Sequence, residues 1–312
     1  MPHTHVIEPY PHHMVRGYFD AALPPVLSVA SGDTVELTSW TAGDPHHLHP
    51  DRSRVDPLHL EALERCPRGP ASHFVTGPVF VEGAVPGDVL QVDILSVVPV
   101  EDWGYTAVWP LLGTLPYDFE ETVLIHPDLD VVNGTVGLPW GKTLPLAPFC
   151  GIVAVAPPPA WGRCSSVPPR KFGGNMDNKE LRPGTTLYLP VFNEGALFCA
   201  GDGHAVQGDG EVCITAVEAS VRASFRLTVR KDLDYAFPFA ETPTHLMSIG
   251  LDEDLDDAAQ QAVREMIDHI CRRTALSRAQ AYMLCSLAGD LRVTQTVDEV
   301  KGCHMLLAKS AL

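Results

Sequence analysis

Apolar and polar residues alternate most regularly at Val221–Arg230, where Val221, Ala223, Phe225, Leu227 and Val229 interleave with Arg222, Ser224, Arg226, Thr228 and Arg230. Side chains of a strand leave on alternate sides. The pattern therefore predicts a half-buried antiparallel strand at the end of a long β segment running from Val212, with its arginines on a solvated face. Val89–Leu95 shows the same period after Pro78–Glu82 and the turn Val85-Pro86-Gly87-Asp88. Gly151–Ala156 reads as a buried strand stopped by three prolines, Pro157–Pro159. Thr186–Val191 and Ala196–Ala200 read as the two strands of a hairpin turning at Phe192-Asn193-Glu194-Gly195. Residues 1–60 are broken by prolines and keep strand-like pieces only over 25–30 and 34–38, while 99–150 read as long loops with short strands.

The period changes near the end of the chain. From Leu255, apolar residues recur at Ala259, Ala262, Val263, Met266, Ile267 and Ile270, the spacing of an amphipathic helix. Ser277-Arg278-Ala279-Gln280 is a capping box opening a second helix that buries Ala281, Leu284, Cys285 and Ala288, with Gly289 as its stop. Strands over 291–297 and 305–308 close the chain. The expected fold is α+β and predominantly β, an antiparallel β-sandwich and hairpin architecture with a C-terminal helical pair. One domain is expected over 1–312: an N-terminal portion (1–76), a β-rich core (77–250), then the helical pair and closing strands (251–312).

Composition narrows the function. Twenty-five glycines and 28 prolines favour short strands and turns over long helices. A net charge of −17 argues against nucleic acid and anionic membranes as partners. No secretory leader and no transmembrane run is read, and eight scattered cysteines without a CxxC pair read as reduced thiols. A cytoplasmic protein is expected.

Reactive side chains concentrate in Gly201-Asp202-Gly203-His204-Ala205-Val206-Gln207-Gly208-Asp209-Gly210-Glu211. If this stretch is extended, Asp202 and His204 share one side, as do Asp209 and Glu211. Histidine with carboxylates suits a divalent metal and the activation of water. The competing reading is a glycine-rich loop whose Asp and Gln cap backbone groups; the histidine and glutamate favour a site. Two further clusters stand beside it. Gly173-Gly174-Asn175-Met176-Asp177-Asn178-Lys179 can deliver a carboxylate and an amide to a pocket, or be an Asx-rich turn with a solvated Lys179. Asp44-Pro45-His46-His47-Leu48-His49 holds enough donors for a metal, but its flanking prolines favour an exposed turn. No G-x-S-x-G elbow occurs, and a nucleophile at Ser165-Ser166 has no support.

Taken together, Gly77–Asp88, Pro169–Asp177, Gly201–Glu211 and the stretch from Ala281–Leu284 to Gly289–Gln295 resemble the acetamidase/formamidase family, in matching order over residues 77 to 312. The resemblance implies hydrolysis of a short aliphatic amide, formamide or acetamide, to ammonia and a carboxylate. It also implies a β-rich fold, a homo-oligomer (dimer or higher) and a divalent metal ion, zinc or calcium. Carried over by motif, Asp177, Asp202, His204, Asp209 and Glu211 are the site candidates. The family's N-terminal Asp is replaced here by Ser39-Trp40-Thr41-Ala42, with Asp44 the nearest carboxylate. The expected roles are His204, Asp177, Asp202 and Asp44 for metal, Glu211 and Asp209 for proton transfer, and Gln207 or Asn175 as oxyanion donor. The alternatives are a hydrolase of another linear or cyclic amide, or a β-sandwich binding protein whose acidic loop holds only calcium.

Overall fold

The computed structural model describes residues 2–66 and 68–312. Two sheets face each other across one apolar core. The larger has nine strands, in the order Thr4–Ile7, Thr34–Ser39, Val221–Arg230, Val89–Pro99, Thr186–Pro190, Phe239–Glu241, His245–Asp252, Lys301–Ala308 and Gly289–Gln295. Only the first pair is parallel. The smaller sheet runs Gly173–Asn175, Phe149–Ala154, Phe198–Val206, Phe74–Val81 and Met14–Arg16, with Val217–Glu218 and Leu27–Val29 added at its margins. Leu37, Val92, Phe225 and Met247 from the first sheet pack with Val79, Ile152, Phe198 and Ala200 from the second.

The alternation at Val221–Arg230 resolves as expected: Val221, Ala223, Phe225 and Leu227 are fully buried. Its arginines form ion pairs along the outer face, Arg226 with Asp93 at 2.9 Å and Arg222 with Glu36 at 3.7 Å. The strand starts at Val221 rather than Val212, because residues 207–216 form the loop that carries Glu211. A second correction concerns the hairpin. Thr186–Pro190 pairs with Val89–Pro99 and Phe239–Glu241, whereas Phe198–Val206 lies in the other sheet. The Phe192–Gly195 turn is thus a crossover between sheets. Turn chemistry signals a reversal but does not say which partner the next strand finds.

Helix α1 (Pro57–Arg65) packs under the N-terminal segment, while α2 (Leu255–Arg273) and α3 (Arg278–Ala288) cover the outer face of the nine-stranded sheet. The capping box at Ser277 and Gln280 forms, and Gly289 ends α3 in an extended conformation. Of the residues expected to be buried on α3, Ala281 and Cys285 are, whereas Ala288 is exposed. The strand under α2 is buried on both faces. Met247, Ile249 and Leu251 enter the inter-sheet core, whereas Leu246, Ser248 and Gly250 meet the helix. A Cβ on Gly250 would stand 1.9 Å from the Ala258 carbonyl oxygen. Gly250→Ala is therefore expected to push α2 off the sheet, at a cost of about 1–3 kcal/mol. A denaturation midpoint equal to that of the parent would refute this close approach.

Candidate active site

The Gly-Asp-Gly-His run is strand, and its glycines explain the pattern. A Cβ at Gly201 would meet the Phe74 carbonyl oxygen at 2.1 Å, and one at Gly203 the Ala219 carbonyl oxygen at 2.4 Å. The intervening Asp202 and His204 turn the other way, into a cavity of about 180 Å³. The same cavity receives Asn175 and Asp177 from the segment following Phe149–Ala154, and Glu218 from the strand pairing beside His204. Glu211 and Asp298 enter from opposite ends of one contact. Gly210 bonds to Thr294 and Thr296 at the end of the Gly289–Gln295 strand, and the Asp298 amide donates to Gln295 Oε1. Gly151 makes the convergence possible: a Cβ there would lie 2.3 Å from Asp177 Oδ1 and 2.7 Å from Asp202 Oδ2.

His204 is the hub. Its Nε2 faces Glu218 Oε2 at 3.1 Å and Asp202 Oδ2 at 3.4 Å, and Asp177 Oδ1 lies 3.8 Å from Nδ1. Gln207 orients the ring. The Gln207 Nε2 donates to the Asp177 carbonyl oxygen at 2.7 Å, which leaves Oε1 to accept from His204 Nδ1 at 2.9 Å. Nδ1 therefore carries a proton, and Nε2 is the ring nitrogen turned to the carboxylates, where a proton or a cation can sit. Two donor sets lie close enough to share an ion, Asp202–His204–Glu218 and Asp177–His204–Glu211.

Electrostatics points the same way. Burial raises the carboxyl pKa of Asp177, Asp298 and Glu211 well above the ordinary range, and each is raised further by another of the three. Burial disfavours a charged His204, yet Glu218 and Asp202 outweigh it and pull the imidazole pKa well above its usual value. Asp177 Oδ1, Asp298 Oδ2 and Asn175 Oδ1 are buried without a hydrogen-bond partner. Crowded carboxylates with free lone pairs and an imidazole nitrogen fit a divalent cation in place of protons. The donor chemistry passes that test.

The structure brings together Asp177, Asp202, His204, Glu211 and Asn175 of the expected residues. Three others stand apart. Asp44 caps the short helical turn at Pro45–His47 through the His46 amide and pairs with Arg68 at 3.5 Å, outside both donor sets. Asp209 pairs with Lys179 at 3.1 Å, because the chain turns at Gly210 and aims Glu211 alone inward. Gln207 is not among the residues lining the cavity; its carboxamide spans Asp177 and His204 instead, through one N–H and the oxygen. The histidine cluster also separates: His46 is exposed, His49 packs edge-on or tilted against Trp103 and His126, and of the three only His47 lines the cavity. Ser166 is fully buried and hydrogen-bonds His73 Nδ1 at 2.8 Å, orienting that ring at the cavity wall.

Glu218, Asp298, His73 and Gly151 are site features that sequence reasoning missed. Glu218 carried the best signal, a lone carboxylate inside the apolar run Ala216-Val217-Glu218-Ala219.

The model of the acetamidase/formamidase family matches residues 12–161 and 160–308. An acetamidase of Mycolicibacterium smegmatis is 31% identical over 261 residues, covering 61% of this chain and 59% of that protein. A formamidase of Methylophilus methylotrophus is 27% identical over 266 residues, covering 67% and 62%. The chain thus spans about three fifths of the length of these curated relatives. A crystal structure of an acetamidase from Bacillus halodurans superposes with a TM-score of 0.82 at 34% identity, covering 94% of both chains. A family match running almost end to end, on a fold shared with that acetamidase, makes this chain a member of the acetamidase/formamidase family.

Proposed function

We propose that this chain is an amidase that hydrolyses the C–N bond of a small primary amide, formamide or acetamide being the simplest, to ammonia and a carboxylate. The observation that carries the reading is the buried set of carboxylates around His204, with unpartnered oxygens facing a cavity large enough for a small amide. His204 Nε2, Asp202 and Glu218 are the residues that would hold a divalent ion; Asp177 and Glu211 form a second donor group that also includes His204. Bound there, such an ion supplies Lewis-acid polarisation of a carbonyl and a lowered water pKa. The nitrogen donor favours zinc over calcium, which prefers an all-oxygen set.

The chain's own groups divide the remaining work. Glu211, its pKa raised by burial and then by Asp177, is placed to take a proton from the attacking water. It returns that proton to the departing nitrogen as the C–N bond breaks, so ammonia leaves and the oxygen stays on the acyl carbon. Asn175, buried at the cavity wall with no partner for Oδ1, presents its amide to the substrate. Gln207 holds His204 in one tautomer. A cytoplasmic homo-oligomer is part of the proposal: all eight cysteines are free, with Cys150 and Cys199 thiols pushed up to about 12 by burial. Large apolar side chains such as Tyr117, Val132 and Trp140 stand exposed as candidate contacts between copies. Among the described residues, no helix is long and apolar enough to cross a membrane.

Purified protein is expected to release ammonia from formamide or acetamide, and to lose that activity on chelation and regain it with zinc. Chelator-insensitive release would sink the metal assignment, and no release from either amide would sink these substrates. Glu211→Gln is expected to lower kcat by about 10²–10⁴-fold while metal content holds; full turnover would remove Glu211 as the base. Gln207→Leu, which frees His204 Nδ1, is expected to cost about 10–100-fold in metal affinity or activity. Unchanged zinc affinity together with unchanged kcat would show that the ring needs no such partner.

A further inference from the structure

The cavity has a second wall that the hydrolytic cluster does not use. Tyr105 pairs with Glu218 across an isolated bridge, with backbone hydrogen bonds of 2.8 and 3.0 Å, so the two are placed side by side. From there the wall continues as a ring face. His47 lies 5.0 Å from Tyr105 and 5.2 Å from Trp109, centroid to centroid, tilted by 31° and 43°. All three line the cavity. Tyr105 and Trp109 belong to a small apolar cluster of their own with Leu48, Val55 and Trp103, separate from the inter-sheet core. The wall is thereby held from behind, as a pre-formed binding face requires.

Two observations point to what it binds. His47 Nδ1 is buried and has no hydrogen-bond partner, although the backbone of the same residue is fixed by His126 Nε2 on its carbonyl oxygen at 2.9 Å. An unpaired buried polar atom costs free energy unless a ligand completes it. The chain leaving Trp109 also carries Leu111, Leu112 and Leu115, which are 69%, 47% and 54% exposed. It then seats on the site loop through the Thr114 amide, which donates to the Val212 carbonyl oxygen at 2.8 Å, next to Glu211. The segment that leaves the wall is therefore apolar on its exposed side. At ~10–15 Å³ for one water, a cavity of about 180 Å³ has space well beyond an acetyl group.

Resting on the amidase reading, we propose that the acyl side of this site takes a planar aromatic or heteroaromatic carboxamide, stacked on Trp109 and Tyr105 with a ring heteroatom or hydroxyl hydrogen-bonded to His47 Nδ1. Flat rings bury their area against aromatic faces at centroid separations of this order. A single polar atom at the end of an otherwise apolar wall fixes orientation.

The test measures ammonia release by the purified holoenzyme from acetamide, benzamide and the pyridinecarboxamide isomers, which move one ring nitrogen around the same frame. Benzamide is expected to exceed acetamide in kcat/KM, and one pyridine isomer to exceed benzamide by about tenfold, the size of one hydrogen bond. His47→Phe is expected to abolish that isomer's advantage over benzamide, and Trp109→Ala to bring benzamide down towards acetamide. Acetamide turnover without any aromatic turnover, or variants that change every substrate alike, would overturn the proposal. Calorimetric binding of benzamide separates the two readings if no amide is hydrolysed. Binding that weakens in Trp109→Ala would keep the wall and discard the amidase, whereas no binding to the parent protein would discard the wall. Because the ring-nitrogen series is read in the parent protein, it does not depend on any variant folding.

Discussion

Everything at this site follows from placing carboxylates close together where water cannot screen them. Like charges at such range cannot all ionise, and burying a charge without a partner is costly. Five carboxylates, Asp177, Asp202, Glu211, Glu218 and Asp298, face three imidazoles at the cavity, and among the described residues only one of these, His204, pairs directly with them. The arrangement is tolerable with protons or a cation between the oxygens, which makes the cluster a receptor for positive charge rather than a stabilising feature. The backbone is bent to achieve it. Asp177, Asp202 and Glu211 all have positive φ, of 46°, 55° and 43°, a conformation uncommon for residues with a Cβ. Strain of this kind persists where the surrounding structure over-determines it, and it gathers at functional sites.

The two-sheet core is what over-determines it. Phe149–Ala154 is buried along its whole length and holds Phe198–Val206 on one side and Gly173–Asn175 on the other. Asp202 and Asp177 are thereby fixed on either side of Gly151. Helices α2 and α3 contribute from a distance: they cover the outer face of the nine-stranded sheet, whose last strand anchors Gly210. The position of Glu211 therefore depends on the C-terminal quarter of the chain as much as on its own loop.

Much of this was legible in the residue pattern, and the rest was not for identifiable reasons. Period-two alternation located the Val221–Arg230 strand because one face is core and the other is solvent. The capping box located α3 because its signal is local. The Gly-Asp-Gly-His spacing placed Asp202 and His204 on one side because strand geometry alone does so. The partner of Thr186–Pro190 was not legible, since sheet pairing is a long-range choice that a turn does not encode. Asp209 looked equivalent to Glu211 until a positive-φ glycine, Gly210, and a salt bridge to Lys179 separated them. Glu218 and Asp298 arrive from far along the chain, and an isolated acid in an apolar run does not reveal which cavity it faces.

The N-terminal quarter shows most clearly why a motif and a role can part. Its acid, Asp44, serves its own turn, yet the segment is locked to the sheets by a buried network. His59 hydrogen-bonds Glu101 at 3.2 Å and the Thr41 carbonyl oxygen at 2.8 Å, while Ser220 donates to Glu101 at 2.6 Å. Trp40 and Trp103 lie parallel to the His59 ring, within 3°. With every polar atom of Glu101 and His59 satisfied, this network fixes the chain on either side of it. Further along the same segment, His126 Nε2 on the His47 carbonyl oxygen holds His47 at the cavity wall. Chemistry is thus carried by strands and strand ends packed on the main core, and the far wall by loops tied down separately. Loops supported in this way can change sequence without disturbing the strands they cover. Under the proposed amidase reading, this division of labour assigns the N-terminal segment to the choice of acyl group rather than to breaking the C–N bond.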